Sequence, residues 1–187
     1  MVPNQHEMTL QEFVVLYVDD EPANLFAFRA AFRKHVKVLT AASMNEGLMV
    51  LADQPVDLLI TDQIMPEGTG LEFLQRTLQD FPDLQRILIT AYGHLDLVRQ
   101  ALNDGKIHWY LEKPWDEDQL LGIIRQAFAE ITDRDHRREQ INALARQLFQ
   151  SRHRVASLLE HLHLMGDTEG AVIAQSILRL MDPADKE

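Results

Sequence analysis

Five short apolar runs, each followed by a segment with helix signals, constrain this chain more than any other feature. They read "FVVLYV" (13–18), "VKVLTA" (36–41), "DLLIT" (57–61), "RILIT" (86–90) and "IHWYL" (107–111). Pro22, with an acidic residue just before it, suits the first turn of a helix over 23–34. Ser43 and Glu46 form a capping-box pattern that opens a helix to about residue 53. A Pro/Gly loop, "QIMPEGTG", leads into a helix over about 71–81, and another follows over about 94–104. Asp116 caps a last helix over about 117–131. Runs that are apolar throughout, alternating with helices, predict a parallel sheet covered on both faces. The expectation is a doubly wound α/β fold with a five-stranded parallel sheet.

Folds of this kind place their sites beyond the carboxyl ends of the strands. Asp19, Asp20 and Glu21 stand after the first predicted strand, Asp62 after the third, Thr90 after the fourth and Lys113 after the fifth. Any one of these could be a charged residue emerging into solvent. Their convergence on one sheet edge points instead to a site. Clustered carboxylates repel one another unless a cation is present, so Asp19, Asp20 and Asp62 suit a hard divalent ion. Magnesium fits, because it takes a few carboxylates, keeps several waters and accepts a phosphate oxygen. A carboxylate held ionised this way can attack phosphorus and become an acyl phosphate. The new oxygens call for a hydroxyl donor and a cation, which Thr90 and Lys113 supply.

Composition narrows the classes further. With 46% apolar and 25% charged residues the chain is ordinarily globular, and it has no cysteine, which excludes disulfides and thiolate metal sites. The apolar runs are too short for a membrane span, and "MVPNQHEMTLQE" lacks the pattern of a secretory leader, so a cytoplasmic protein is expected. Residues 1–131 carry 10 Lys+Arg against 20 Asp+Glu, whereas 132–187 carry 8 against 9. So acidic a main domain argues against non-specific nucleic-acid binding, which depends on neutralising phosphates.

"VDDE", the D-x-x-M-P-x-x-x-G pattern over 62–70, "LITA" and "YLEKP" resemble the motifs of the receiver domain of two-component response regulators, in that family's order. The resemblance spans about residues 13–131 and implies a flavodoxin-like fold. It implies that Asp62 is the phospho-acceptor and that Asp19 and Asp20 hold Mg²⁺, Asp20 directly and Asp19 more through water. Asp62 and the backbone carbonyl of Ile64 complete the implied ligands. Thr90 is implied to bind the phosphoryl group and move towards it, Tyr110 to turn inward as the aromatic switch, and Lys113 to pair with a phosphoryl oxygen. Ile64 and Tyr92 fall at the two positions that modulate hydrolysis. Both are bulky and neither can activate water, so slow loss of phosphate is expected. A cognate sensor histidine kinase is the implied phosphate source, and such a protein catalyses only its own phosphorylation and dephosphorylation. "LDLVRQALNDGKIHWYLEKPWDEDQL" resembles the receiver subgroup whose last loop reads Lys-Pro-Trp-Asp, and no role for Trp115 follows from the sequence.

Three segments are expected: a flexible N-terminus over 1–12, the receiver over 13–131, and a helical linker with an α-hairpin over 132–187. From Ile141 an apolar heptad runs through Leu144, Leu148, Val155, Leu158, Leu162 and Met165, with Ser151 the polar member. Gly166 and Asp167 break the helix. A second helix carries Ala171, Ile173, Ala174, Ile177, Leu178 and Met181, and Pro183 stops it. Two helices alone bury little, so their stripes need partners, either a second copy or the chain's own receiver. Three readings stand. The favoured one is a homodimer pairing two hairpins into a four-helix bundle that binds a downstream protein. A second takes His153 as a phosphorylatable histidine, on a faint similarity to the helix hairpin of sensor kinases and sporulation-type phosphotransferases. A third takes Arg134, Arg137, Arg138, Arg146, Arg152 and Arg154 as the RNA-binding face of an antitermination-type module. Aromatics for stacking on single strands are scarce beyond Phe149, and nucleic acid is not the expected partner.

Overall fold

The computed structural model describes residues 9–66, 68–91 and 95–181. The chain divides into two compact units, Met1–Asp133 and Arg134–Glu187. In the first, a 3-10 turn, Leu10–Glu12, precedes strand β1 (Val14–Val18) and helix α1 (Pro22–Phe32). Strand β2 (Lys37–Ala41), helix α2 (Met44–Asp53) and strand β3 (Leu58–Asp62) follow. Next come two short strands, β4 (Ile64–Met65) and β5 (Gly68–Thr69), then helix α3 (Gly70–Asp80). Strand β6 (Gln85–Thr90), helix α4 (Leu95–Asn103) and strand β7 (Trp109–Glu112) complete the alternation. Five of the strands form one parallel sheet in the order β2-β1-β3-β6-β7. The doubly wound five-stranded architecture is the one the sequence pattern predicts.

Side-chain alternation along the strands sorts the core into two layers. Val15 and Tyr17 of β1, with Ile60, Ile87 and Ile89, pack with Phe28 and Phe32 of α1. Leu120, Ile124 and Phe128 of helix α5 (Glu117–Met165) join that layer. Leu16, Val18, Leu59 and Leu88 face the opposite way, towards Phe73 and Leu74 of α3 and Val98 of α4. Both faces of β1, β3 and β6 are buried, which is why they read as unbroken apolar runs.

Two local expectations need correction. The loop read from "QIMPEGTG" contains an antiparallel hairpin, with Ile64 opposite Thr69 and Met65 opposite Gly68. Two-residue strands are too short to show alternation. Ser43 does accept from the Glu46 amide at 3.2 Å, but the Glu46 carboxylate takes the Ala42 amide at 2.7 Å instead of closing the box on Ser43. A reciprocal box does lie at α3. There the Glu72 amide donates to Thr69 Oγ1 at 3.2 Å and the Thr69 amide to Glu72 at 2.8 Å.

The second unit holds the carboxy-terminal part of α5 and helix α6 (Thr168–Leu180). Gly166, at φ 74°, makes the break, and Asp167 caps α6 by accepting from the Gly170 amide at 3.0 Å. Ala171 and Ala174 are buried, whereas Ile141, Leu144 and Leu148 are each about three-fifths exposed. Pro183, read as the stop of the second helix, lies outside the described residues.

Candidate functional site at the carboxyl ends of the strands

The sheet ladder continues past the strand ends and fixes the residues that follow. The Asp19 amide donates to the Ala41 carbonyl at 3.3 Å, the Gln63 amide to Ile89 at 2.8 Å, and the Lys113 amide to Thr90 at 2.8 Å. Asp19, Asp62, Thr90 and Lys113 are thereby placed on one edge by main-chain bonds, before any side-chain interaction is counted. Gly70 tightens the site from below: a Cβ there would collide with the Asp62 carbonyl, so only glycine allows α3 to start this close to the strand end.

The side chains then converge. Lys113 Nζ lies 2.6 Å from Asp62 Oδ1 and 3.2 Å from Asp19 Oδ2, an ammonium bridging two carboxylates. Asp62 also accepts the Ile64 amide at 3.0 Å on its other oxygen. Asp19, almost wholly buried, is bound from all sides. The Tyr17 hydroxyl donates to Oδ2 at 2.7 Å, the Glu21 amide to Oδ1 at 3.0 Å, and the Asn24 amide nitrogen to both oxygens at 3.0 and 3.1 Å. Asp20 is exposed beside it.

These contacts set the charge states. Burial disfavours the Asp19 carboxylate, but the hydrogen bonds from Tyr17, Glu21 and Asn24 and the charge of Lys113 outweigh it, and its pKa falls below the ordinary range. Burial likewise disfavours the Lys113 ammonium; the bonds and charges of Asp62 and Asp19 override this and raise its pKa. For Tyr17, burial, the bond to Asp19 and the surrounding negative charge act together, and the phenol is held protonated well beyond its usual range.

The other expected residues are placed as follows. Thr90 is buried at the end of β6, and its hydroxyl donates to the Ala91 carbonyl at 3.2 Å. Tyr110 pairs with Leu88 across the sheet and is 37% exposed. Ile64 is exposed in β4. Tyr92 lies outside the described residues. The Lys113–Pro114 bond is cis, and Trp115 packs against Phe28 and Phe32 of α1, with ring centroids 6.4 and 6.2 Å apart. Trp115 thus fastens the Lys113 loop to α1, a role the sequence left blank. Sequence reasoning also missed Tyr17 and Asn24. Tyr17 could have been found from its position two residues before Asp19 on a strand, which puts both on one face. Asn24 sits in the first turn of α1, within reach of the same carboxylate.

The donors available to a metal are carboxylate and carbonyl oxygens, the set a hard divalent cation prefers. Among the described residues no group of three acidic, histidine or cysteine side chains is gathered closely enough to hold one. The Lys113 ammonium instead bridges Asp19 and Asp62.

The family model of the response regulator receiver domain matches residues 15–125. The chain belongs to this family. A hydrogenase transcriptional regulatory protein, HoxA, of Cupriavidus necator is 36% identical over 120 residues, which are 64% of this chain and 25% of that protein. This chain therefore spans about a quarter of the length of the curated relatives it matches. Among solved structures, the signal receiver domain of an HD domain-containing protein from Pseudomonas fluorescens is 30% identical, with a TM-score of 0.64, covering 72% of this chain and 99% of that one. The response regulator protein TrrA of Thermotoga maritima, solved in complex with Mg²⁺ and BeF, is 27% identical, with a TM-score of 0.56 over 62% of this chain and 99% of that one. No described helix is long and apolar enough to cross a membrane.

Proposed function

We propose that this receiver is phosphorylated on Asp62 with the help of Mg²⁺, and that it signals through its carboxy-terminal helices as a homodimer. The observation that carries the phosphorylation reading is the Lys113 ammonium, 2.6 Å from Asp62 and shared with the buried Asp19. A cation set against one carboxylate at a strand end is positioned to neutralise phosphoryl oxygens added there. Asp19, Asp20, Asp62 and the Ile64 carbonyl are the groups that would hold the ion, Asp19 through water. Bound Mg²⁺ would neutralise the charge of these carboxylates and of an incoming phosphoryl group. The Mg²⁺–BeF complex of TrrA supports the choice of ion.

Asp62 supplies the attacking oxygen, and as its new phosphorus–oxygen bond forms the phosphorus–nitrogen bond to the kinase's phosphohistidine breaks, leaving a neutral imidazole (with acetyl phosphate, a phosphorus–oxygen bond breaks and acetate leaves). Thr90 donates its hydroxyl to the transferred group and Lys113 pairs with a second oxygen. Tyr110 follows Thr90 inward, a two-state shift that re-shapes the adjoining surface. The phosphate comes from a sensor histidine kinase, and the protein acts on no substrate other than its own aspartate.

Exposed Ile141, Leu144 and Leu148 on α5, with Ile173 and Ile177 on α6, support the dimer, since an apolar stripe of this kind calls for a partner. The domain scheme follows: a receiver over 13–131 and a dimerising, protein-binding segment over 132–187. Asp62→Asn tests the acceptor. Acetyl phosphate with Mg²⁺ should add one phosphoryl group to the native chain, read by intact mass, and none to the variant. Full labelling of the variant would move the site elsewhere.

A further inference from the structure

We infer that Tyr17 is a positioning residue for Lys113, acting through Asp19, in the phosphorylation proposed above; the inference rests on that reading. Tyr17 is fully buried, and its ring is stacked on Phe28 with centroids 4.2 Å apart and planes 13° from parallel. The ring has nowhere to turn, so its hydroxyl is held in one place. It donates to Asp19 Oδ2 at 2.7 Å. The same oxygen takes Asn24 Nδ2 at 3.1 Å and Lys113 Nζ at 3.2 Å. Three donors therefore share one buried oxygen, and the neutral hydroxyl holds it at the shortest distance.

This division decides where the ammonium sits. A carboxylate oxygen already satisfied by neutral donors attracts a further cation less strongly. Lys113 accordingly stands closer to Asp62, at 2.6 Å, than to Asp19. Without the Tyr17 hydroxyl, Asp19 Oδ2 would be a buried acceptor short of its main donor, a costly state. Asn24 is tied to both Asp19 oxygens and to Glu21 at 3.1 Å, so it has little freedom to compensate. Lys113, on a flexible and partly exposed stem, is the donor that can move. It would be drawn towards Asp19 and away from the acceptor. Tyr17 thus keeps the cation at Asp62 by occupying the competing site.

Tyr17→Phe removes the hydroxyl and keeps the stacked ring. Four quantities are measured on the full chain: intact-mass labelling at Asp62, its rate with acetyl phosphate at saturating Mg²⁺, the affinity for beryllofluoride by fluorine NMR, and the melting temperature. Each is repeated in a Lys113→Ala background. The expected result is a labelling rate and a beryllofluoride affinity each lower by about fivefold, the weight of one misplaced charge-assisted hydrogen bond. In the Lys113→Ala background Tyr17→Phe should change neither, because its effect runs through the ammonium. The melting temperature should fall by no more than a few degrees (about one hydrogen bond). Native-like labelling, an equal loss in the Lys113→Ala background, or a large melting-temperature drop would each overturn the inference. A native chain that is never labelled at Asp62 would overturn the phosphorylation reading and this inference with it.

Discussion

Ile64 donates its amide to Asp62 at 3.0 Å while its side chain stands exposed in β4. An aliphatic group there can neither orient nor deprotonate an attacking water. Under the phosphorylation reading, Ile64→Asn should shorten the half-life of the phosphorylated chain in Mg²⁺ severalfold, followed by the decay of intact mass. Rapid decay of the native chain, unchanged in the variant, would contradict this. Arg86 shows a different use of charge. Wholly buried, it donates to the carbonyls of Thr77, Phe81 and Leu84 at 2.6 to 2.9 Å and to the Thr77 hydroxyl at 2.9 Å. It thereby closes the carboxyl end of α3, where the helix dipole favours a cation. Arg86→Met should cost about 3 kcal/mol in urea unfolding, because several buried carbonyls lose their donor at once, with little change in the labelling rate. Asp19, Asp62 and Lys113 were legible in the sequence because each follows an apolar run. Tyr17 and Arg86 were not, since each stands inside or at the start of such a run and is read as part of the strand.

The sheet and its helices were legible because burial on both faces leaves a strong compositional trace. The β4–β5 hairpin was not, and its position matters: it carries Ile64 immediately after Asp62. The capping signal at Ser43 was readable in type but not in use, and the box of Thr69 and Glu72 went unread. Helix α5 extends for 49 residues, Glu117–Met165. Leu120, Leu121, Ile124, Ala127, Phe128 and Ile131 are buried at helical spacing, whereas 136–154 are exposed throughout. Periodicity predicts an apolar stripe in both stretches but cannot say what covers it. If a second copy does, Leu144→Asp with Leu148→Asp should convert a dimer into a monomer, read by light scattering. Because both positions are already exposed within one chain, each substitution should change its intrinsic stability by about 0.5 kcal/mol or less.

For the whole molecule, the receiver fold and the strand-end constellation were readable from ordered motifs, because spacing along a parallel sheet dictates which residues share an edge. The output was not, because exposed stripes and scattered arginines fit several partners equally well on paper. HoxA is a transcriptional regulatory protein, but the shared segment is a quarter of its length, so its name does not describe the helices that follow the receiver here. In the proposed function, one chain joins an aspartyl phosphate to a paired helical segment. Native mass spectrometry of the full chain, after acetyl phosphate and Mg²⁺, tests both halves together. It should show a species of twice the 21.5 kDa chain mass with one phosphoryl group per chain, and an unmodified dimer for Asp62→Asn. A monomer, or a phosphoryl group that survives Asp62→Asn, would contradict it.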